Sequence, residues 1–106
     1  MDNVTSSKWV AWINQEPLQP TNEGTLHVTG EVDSHSTKFA VLRKKNPQGI
    51  NEKILLLEIK LYSGIIPVNN PQLLHYSEEL ESTYSSIEIF YGSQKVTQIA
   101  DIPVVQ

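Results

Sequence analysis

Apolar and polar residues alternate with a period of two in several separate segments of this chain, and turn-forming residues separate the segments. Such alternation is typical of a strand with one buried and one solvated face. The clearest example is 25–33, where Leu26, Val28 and Val32 alternate with polar residues. Gly30 takes an inward position in this segment and predicts a bulge or a close backbone approach. The pattern therefore predicts a mainly β fold.

Six further segments are predicted to be strands. Their ranges are 8–14, 37–44, 53–62, 86–91, 94–99 and 102–105. The segment 53–62 carries apolar residues on both faces, which favours a central strand. Gly92 and Ser93 fit the two-residue turn of a hairpin. Pro103 restricts the last segment to a sheet edge, because proline has no N–H donor.

One segment predicts a helix. Asn70 is a suitable N-cap and Pro71 is suited to the first helical position. Leucines then recur at helical spacing. We therefore expect at most one short helix, near 71–81, although acidic residues toward its C-terminal end oppose the helix dipole.

This order of elements fits two architectures. The first is an antiparallel β-sandwich of about six to seven strands, which is common at this chain length. The second is an OB-like five-stranded β-barrel with an extra N-terminal strand, because that fold also places a helix between its third and fourth strands. We expect the sandwich. With 106 residues, the chain is predicted to form a single domain over 1–106, with 1–7 flexible.

Composition limits the classes of function. The chain has no Cys, which excludes disulfides, thiolate metal sites and Cys nucleophiles. No apolar run approaches the roughly 20 residues of a membrane-spanning helix, and no secretion signal is visible, so we expect a cytoplasmic protein without membrane partners. The formal net charge of -4 disfavours a nucleic-acid partner, because phosphate binding depends on Lys and Arg.

Motifs typical of catalysis are missing from the sequence. The serines lack a Gly-x-Ser-x-Gly elbow, and no glycine-rich phosphate loop is found. Glu58 stands between two apolar residues and is expected to pair with a base or to leave the core at the strand end. We therefore predict that the chain is not an enzyme, has no catalytic residues and needs no cofactor.

Four residues on the predicted strand 25–33 and its following turn resemble metal ligands. His27, Glu31, Asp33 and His35 share parity and would lie on one solvated face. Alternate residues on a strand stand about 6.6 to 6.8 Å apart, which is too far for consecutive members to close on one ion. We therefore predict an exposed polar face and no metal site.

Two sets of residues are candidates for an interaction surface. Trp9 and Trp12 stand at odd and even positions of the predicted strand 8–14, so they face opposite sides of it. One is expected to enter the core, and the other is covered by a segment such as the loop 15–24 or stays exposed. The basic set consists of Lys38, Arg43, Lys44 and Lys45. Such a set can contact phosphate or form a solvated loop, and aromatic interleaving is weak because Phe39 is expected to face the core.

By elimination, the sequence predicts a non-catalytic interaction or self-assembly module that binds through an edge strand and an exposed aromatic residue. The expected partner is a second copy of the chain or another protein. Two alternatives stay open at this point. One is a ligand- or oligonucleotide-binding β-barrel, and the other is a small enzyme with an unrecognised site.

Overall fold

The computed structural model describes residues 3–15 and 24–105, which form eight strands in two four-stranded sheets. The strands are β1 (Thr5–Asn14), β2 (Thr25–Asp33), β3 (Phe39–Lys44), β4 (Ile54–Tyr62), β5 (Gln72–Glu79), β6 (Ser86–Tyr91), β7 (Gln94–Ile99) and β8 (Val104–Val105). The first sheet has the order β5-β2-β1-β8 and the second has the order β3-β4-β6-β7. Inward residues of both sheets form one apolar core. The predicted β-sandwich is confirmed, and the barrel alternative is wrong because the described strands do not close.

Strand boundaries follow the alternation closely. The predicted ranges 25–33, 86–91 and 94–99 coincide with β2, β6 and β7. β4 lies between two neighbours in the second sheet, and β8 lies at an edge of the first, as predicted. β1 begins at Thr5, so residues 5–7, which the sequence predicts to be flexible, pair with β2.

Both sheets are mixed, whereas the sequence predicts antiparallel ones. β1 pairs in parallel with β8, and β4 pairs in parallel with β6. The other pairings are antiparallel. Parallel neighbours need a long connection, so their partners lie far apart in the sequence and no local turn signal identifies them.

The predicted helix near 71–81 is wrong, because this segment contains strand β5. Burial alternates along β5, with Leu74 buried and both Leu73 and His75 exposed. β5 pairs with β2 along its whole length. These long-range backbone hydrogen bonds outweigh the local helix signal at 70–71. The Asn70 carboxamide oxygen instead accepts a hydrogen bond from the backbone N–H of Ser34 at 3.1 Å.

The side chain of Gln72 joins the two sheets where β5 approaches β3. Its Oε1 accepts a hydrogen bond from the backbone N–H of Ala40 at 2.8 Å, and its Nε2 donates to the backbone carbonyl of Lys38 at 3.1 Å. The carboxamide therefore pairs with β3 much as a strand backbone would. It satisfies backbone groups that the sheet itself leaves open at this side of the sandwich.

A bulge in β1 positions both tryptophans. Between Ser7 and Val10, Lys8 and Trp9 lie opposite the single residue Gly30. Lys8 takes the left-handed conformation that the bulge requires, with φ 58°. The Trp9 ring fills the space beside Gly30, where an added Cβ would lie 2.2 Å from Trp9 Cε3. The predicted close approach at Gly30 is confirmed, and the bulge lies on the neighbouring strand.

Substituting Gly30 tests this contact. We expect Gly30→Ala to lower the free energy of unfolding by about 1–3 kcal/mol, because the new methyl group overlaps the Trp9 ring. In a Trp9→Leu background the overlap is relieved, so the same substitution should cost much less. Urea denaturation of the wild type, the two single variants and the double variant gives the coupling free energy between the two positions. If Gly30→Ala lowered the free energy of unfolding equally in both backgrounds, the Trp9 ring would not be the reason why position 30 requires glycine.

Candidate functional site

The outer face of the first sheet carries a row of three rings from three neighbouring strands. Trp12 stands opposite His27 in the register of β1 and β2, with ring centroids 5.2 Å apart and planes inclined by 21°. His75 of β5 continues the row, at 5.1 Å and 17° from His27. His27 Nδ1 and His75 Nε2 form a hydrogen bond of 2.9 Å. We call Trp12, His27 and His75 the aromatic row.

The two tryptophans face opposite sides of the first sheet, as their parity predicts. Trp9 packs against the core, and its indole N–H donates to Ser6 Oγ at 2.9 Å. Trp12 is half-buried on the outer face, where its ring lies against His27. Most of the loop expected to cover a tryptophan, 15–24, lies outside the described residues. Trp12 is therefore the candidate contact, and Trp9 is a core residue.

Apolar residues next to Trp12 extend this surface toward the edge of the sheet. Val10, on the same face of β1, is 52% exposed. Val105 is the register partner of Asn14 and is 49% exposed. Within the described part of the chain, β8 has a strand on one side only. An aromatic ring, two valines and an open strand edge thus adjoin one another.

The structure divides the four basic candidate residues. Alternation along β3 directs Arg43 and Lys44 to opposite faces. Arg43 Nε donates to Glu58 Oε1 at 2.8 Å on the outer face of the second sheet, and this hydrogen bond raises the pKa of Arg43. Lys44 Nζ lies 3.6 Å from Glu78 Oε1 on the other side. Both charges are paired within the chain.

Lys38 and Lys45 lie at opposite ends of β3. The backbone carbonyl of Lys38 accepts hydrogen bonds from Ser34 and Gln72, so this residue belongs to the junction between the sheets. Lys45 Nζ lies 5.9 Å from the centroid of the Phe90 ring. The four residues of the sequence cluster therefore have different environments, with Lys44 on the face opposite to Arg43.

Sequence reasoning missed His75, because it assigned the residue to a helix. The missed signal is the alternation of Leu74 and Tyr76 with His75, which has a period of two. Once β5 pairs with β2, Thr29 becomes the register partner of His75, and the imidazole reaches His27 diagonally.

Phe39 faces outward, so the expectation that it enters the core is wrong. It is 37% exposed, and its ring centroid lies 5.7 Å from that of Tyr62. Leu42 instead fills the core position of β3. Both parities of this short strand carry apolar residues, so alternation alone could not choose the buried face. Ile65 and Ile66, in the loop after β4, are also exposed and were not predicted as contacts.

A polar cluster at β5 holds the half-buried carboxylate of Glu78. The Glu78 carboxylate accepts hydrogen bonds from the hydroxyls of Tyr76 and Tyr84, both at 2.6 Å. These residues line a cavity of about 440 Å³ together with Lys44. Burial raises the pKa of both phenols, and the hydrogen bonds to Glu78 raise it further. The phenols therefore act as donors at neutral pH, which makes them poor bases or nucleophiles.

The predicted polar face of β2 does not gather into a ligand set. His35 Nε2 lies 3.0 Å from Thr5 Oγ1, and its Nδ1 lies 3.5 Å from the Asp33 carboxylate. Glu31 pairs with Lys8 at 3.1 Å. Across residues 3–15 and 24–105, no three side chains among His, Asp and Glu come together as a metal-binding group.

Comparison with known proteins adds no family to this geometry. No protein-family model, curated protein or solved structure matches the chain. The described residues contain no helix that is long and apolar enough to cross a membrane.

The phenols of Tyr76 and Tyr84 predict how stability depends on pH. Because their pKa values in the folded state are raised above the usual value near 10, their stabilising effect is complete below about pH 10. This stabilisation is lost as the pH rises further, because the two phenols ionise at a lower pH in the unfolded chain than in the folded protein. We expect the free energy of unfolding, measured in urea from about pH 8 to about pH 11, to fall less steeply for Tyr84→Phe than for the wild type.

Two further variants check this assignment. Tyr76→Phe should flatten the same pH dependence. Glu78→Gln removes the nearby negative charge, so phenolate absorbance should develop at lower pH than in the wild type. Identical profiles for the wild type and both phenylalanine variants would contradict the role of these phenols.

Proposed function

We propose that this chain is a non-catalytic interaction module that forms a homodimer through the outer face of its first sheet. The observation that carries the proposal is the position of Trp12, which stands on that face beside Val10 and close to the open edge at β8. Tryptophan is enriched among residues that dominate binding energy at interfaces. Its half-buried ring offers a large apolar area that a partner can cover.

The edge strand supplies the second contact. Exposed edges pair readily with another chain unless charge, proline or a covering segment protects them. Pro103 precedes β8, and both Val104 and Val105 are about half exposed. A two-fold axis near β8 would bring the same surface of both copies together, which is the usual arrangement in a dimer.

Apolar burial rather than charge is expected to drive the association. Segment 38–45 is basic and segment 78–88 is acidic, so the two segments are candidates for charge pairing between copies. Lys44 and Glu78 already pair within one chain, and so do Arg43 and Glu58. Screened charge pairs between two exposed surfaces would in any case contribute little affinity. Charges around Trp12 would then affect orientation more than strength.

The absence of catalysis is part of the proposal. Among the described residues, the carboxylate of Glu78 is held by two phenols, and that of Glu58 is held by Arg43. Such saturated groups support a structural role. The small-enzyme alternative has no specific contact in its favour among these residues. A cytoplasmic location stays a prediction.

Sedimentation equilibrium at micromolar concentration tests the dimer. The wild type should have about twice the monomer mass of 12.0 kDa. Trp12→Glu should be monomeric with an unchanged circular dichroism spectrum, because it places a charge at the centre of the interface. Phe39→Glu is the matched control, since it changes an exposed aromatic residue on the opposite sheet, and it should stay dimeric.

Two results would contradict the proposal. One is a wild type that is monomeric throughout the micromolar range. The other is a dimer that persists in folded Trp12→Glu. A dimer that is lost in Phe39→Glu but kept in Trp12→Glu would assign the interface to the second sheet.

A further inference from the structure

Two of the three histidines of this chain meet on the outer face of the first sheet, and nothing in the proposed dimer requires them to do so. They come from β2 and β5, which are neighbouring strands, and His27 Nδ1 lies 2.9 Å from His75 Nε2. We propose that His27 and His75 form a chelating site for a divalent copper ion. The remaining coordination positions would be filled by water.

A pair of imidazole ligands completed by water suits copper. Cu(II) prefers tetragonal sites with nitrogen and oxygen ligands. Two imidazole nitrogens that occupy adjacent corners of such a site, each about 2.0 Å from the metal, are about 2.8 Å apart. A tetrahedral zinc site would need about 3.3 Å. The observed 2.9 Å is the length of the hydrogen bond between the rings, and it shows that the neighbouring strands bring the two nitrogens close enough to bind one ion once the rings turn.

Protonation presents no obstacle to this chelate. A neutral imidazole carries one proton, which can reside on either ring nitrogen. In the observed hydrogen bond, one ring donates its proton to the facing nitrogen of the other. Metal binding requires that proton to move to the other nitrogen of its own ring, so that both facing nitrogens present lone pairs. The neutral pair changes tautomer and releases no proton.

The surroundings allow the required rotation of the rings. The near-parallel planes must turn so that both lone pairs converge on one point outside the sheet. His75 is exposed and can turn toward solvent, whereas Trp12 supports the half-buried ring of His27. The stacked indole thus holds one ligand while the other adjusts, which reduces the entropy lost on binding.

The donor set also limits the choice of ion. No third His, Asp or Glu side chain joins the pair within the described ranges. Calcium and magnesium require several oxygen ligands. For imidazole donors, affinity rises from manganese to copper and falls again at zinc. The site is distinct from the polar face of His27 to His35 that the sequence suggests, because that face includes His35 and lacks His75.

Titration of the untagged protein with Cu(II) tests the site. Calorimetry should give one site per chain with a Kd below about 10 µM. Tryptophan fluorescence should be quenched, because Trp12 lies 5.2 Å from His27. His75→Ala and His27→Ala should each weaken binding at least about tenfold, whereas His35→Ala, the matched control, should bind as the wild type does.

A further variant localises the ion. Trp12→Phe should keep the affinity measured by calorimetry and lose most of the quenching, because Trp9 packs on the opposite side of the sheet. Unchanged affinity in folded His75→Ala, or an equal loss in His35→Ala, would overturn the proposal and assign the copper to another group, such as the N-terminal amine. Failure to saturate below about 10 µM would also overturn it.

The chelate adjoins the proposed interface, because the Trp12 ring lies against His27, but the two proposals are tested by different measurements. Sedimentation without metal reports on the interface at Trp12, whereas calorimetry on the histidine variants reports on the chelate. A monomer that binds copper would contradict the proposed function alone. A dimer that does not bind copper would contradict the metal site alone.

Discussion

The packing of Trp9 against Gly30 determines how the first sheet presents its two faces. The ring occupies the space where any other residue would carry a Cβ, and the bulge at Lys8 and Trp9 accommodates it. Beyond the bulge, Ala11 and Ile13 enter the core while Val10 and Trp12 face outward. The packing of the Trp9 indole against the core therefore decides which tryptophan faces outward, because shifting the register by a single residue would exchange the two faces.

The fold was predictable where local alternation coincides with one buried face. β2, β6 and β7 satisfy this condition, and their sequence ranges match the structure. The prediction for β5 was wrong because the helix-start signal at Asn70 and Pro71 is local, whereas the pairing of β5 with β2 joins residues that are far apart in the chain. The parallel pairing was not predicted for the same reason, since no local turn sequence identifies strands that pair in parallel.

The candidate site was predictable only in part, and the limits are geometric. Parity placed the two tryptophans on opposite faces, but it could not say which one faces outward without the bulge. The basic residues of 38–45 are close in sequence, yet alternation and pairing with Glu58 and Glu78 separate them. His75 joins His27 only because two strands that are distant in sequence become neighbours.

The two outer faces of the sandwich differ in a way that favours the first sheet for recognition. On the second sheet, Glu58 lies between Arg43 at 2.8 Å and Lys60 at 4.0 Å. A partner would have to desolvate these paired charges, which costs more than covering apolar surface. Around Trp12, the apolar groups are its ring and the side chains of Val10 and Val105. Covering them gains apolar burial. The charges on the same face, Lys8 and Glu31, pair at 3.1 Å with the Lys8 side chain 75% exposed, so an interface centred on Trp12 has the smaller desolvation cost when it leaves this pair in water.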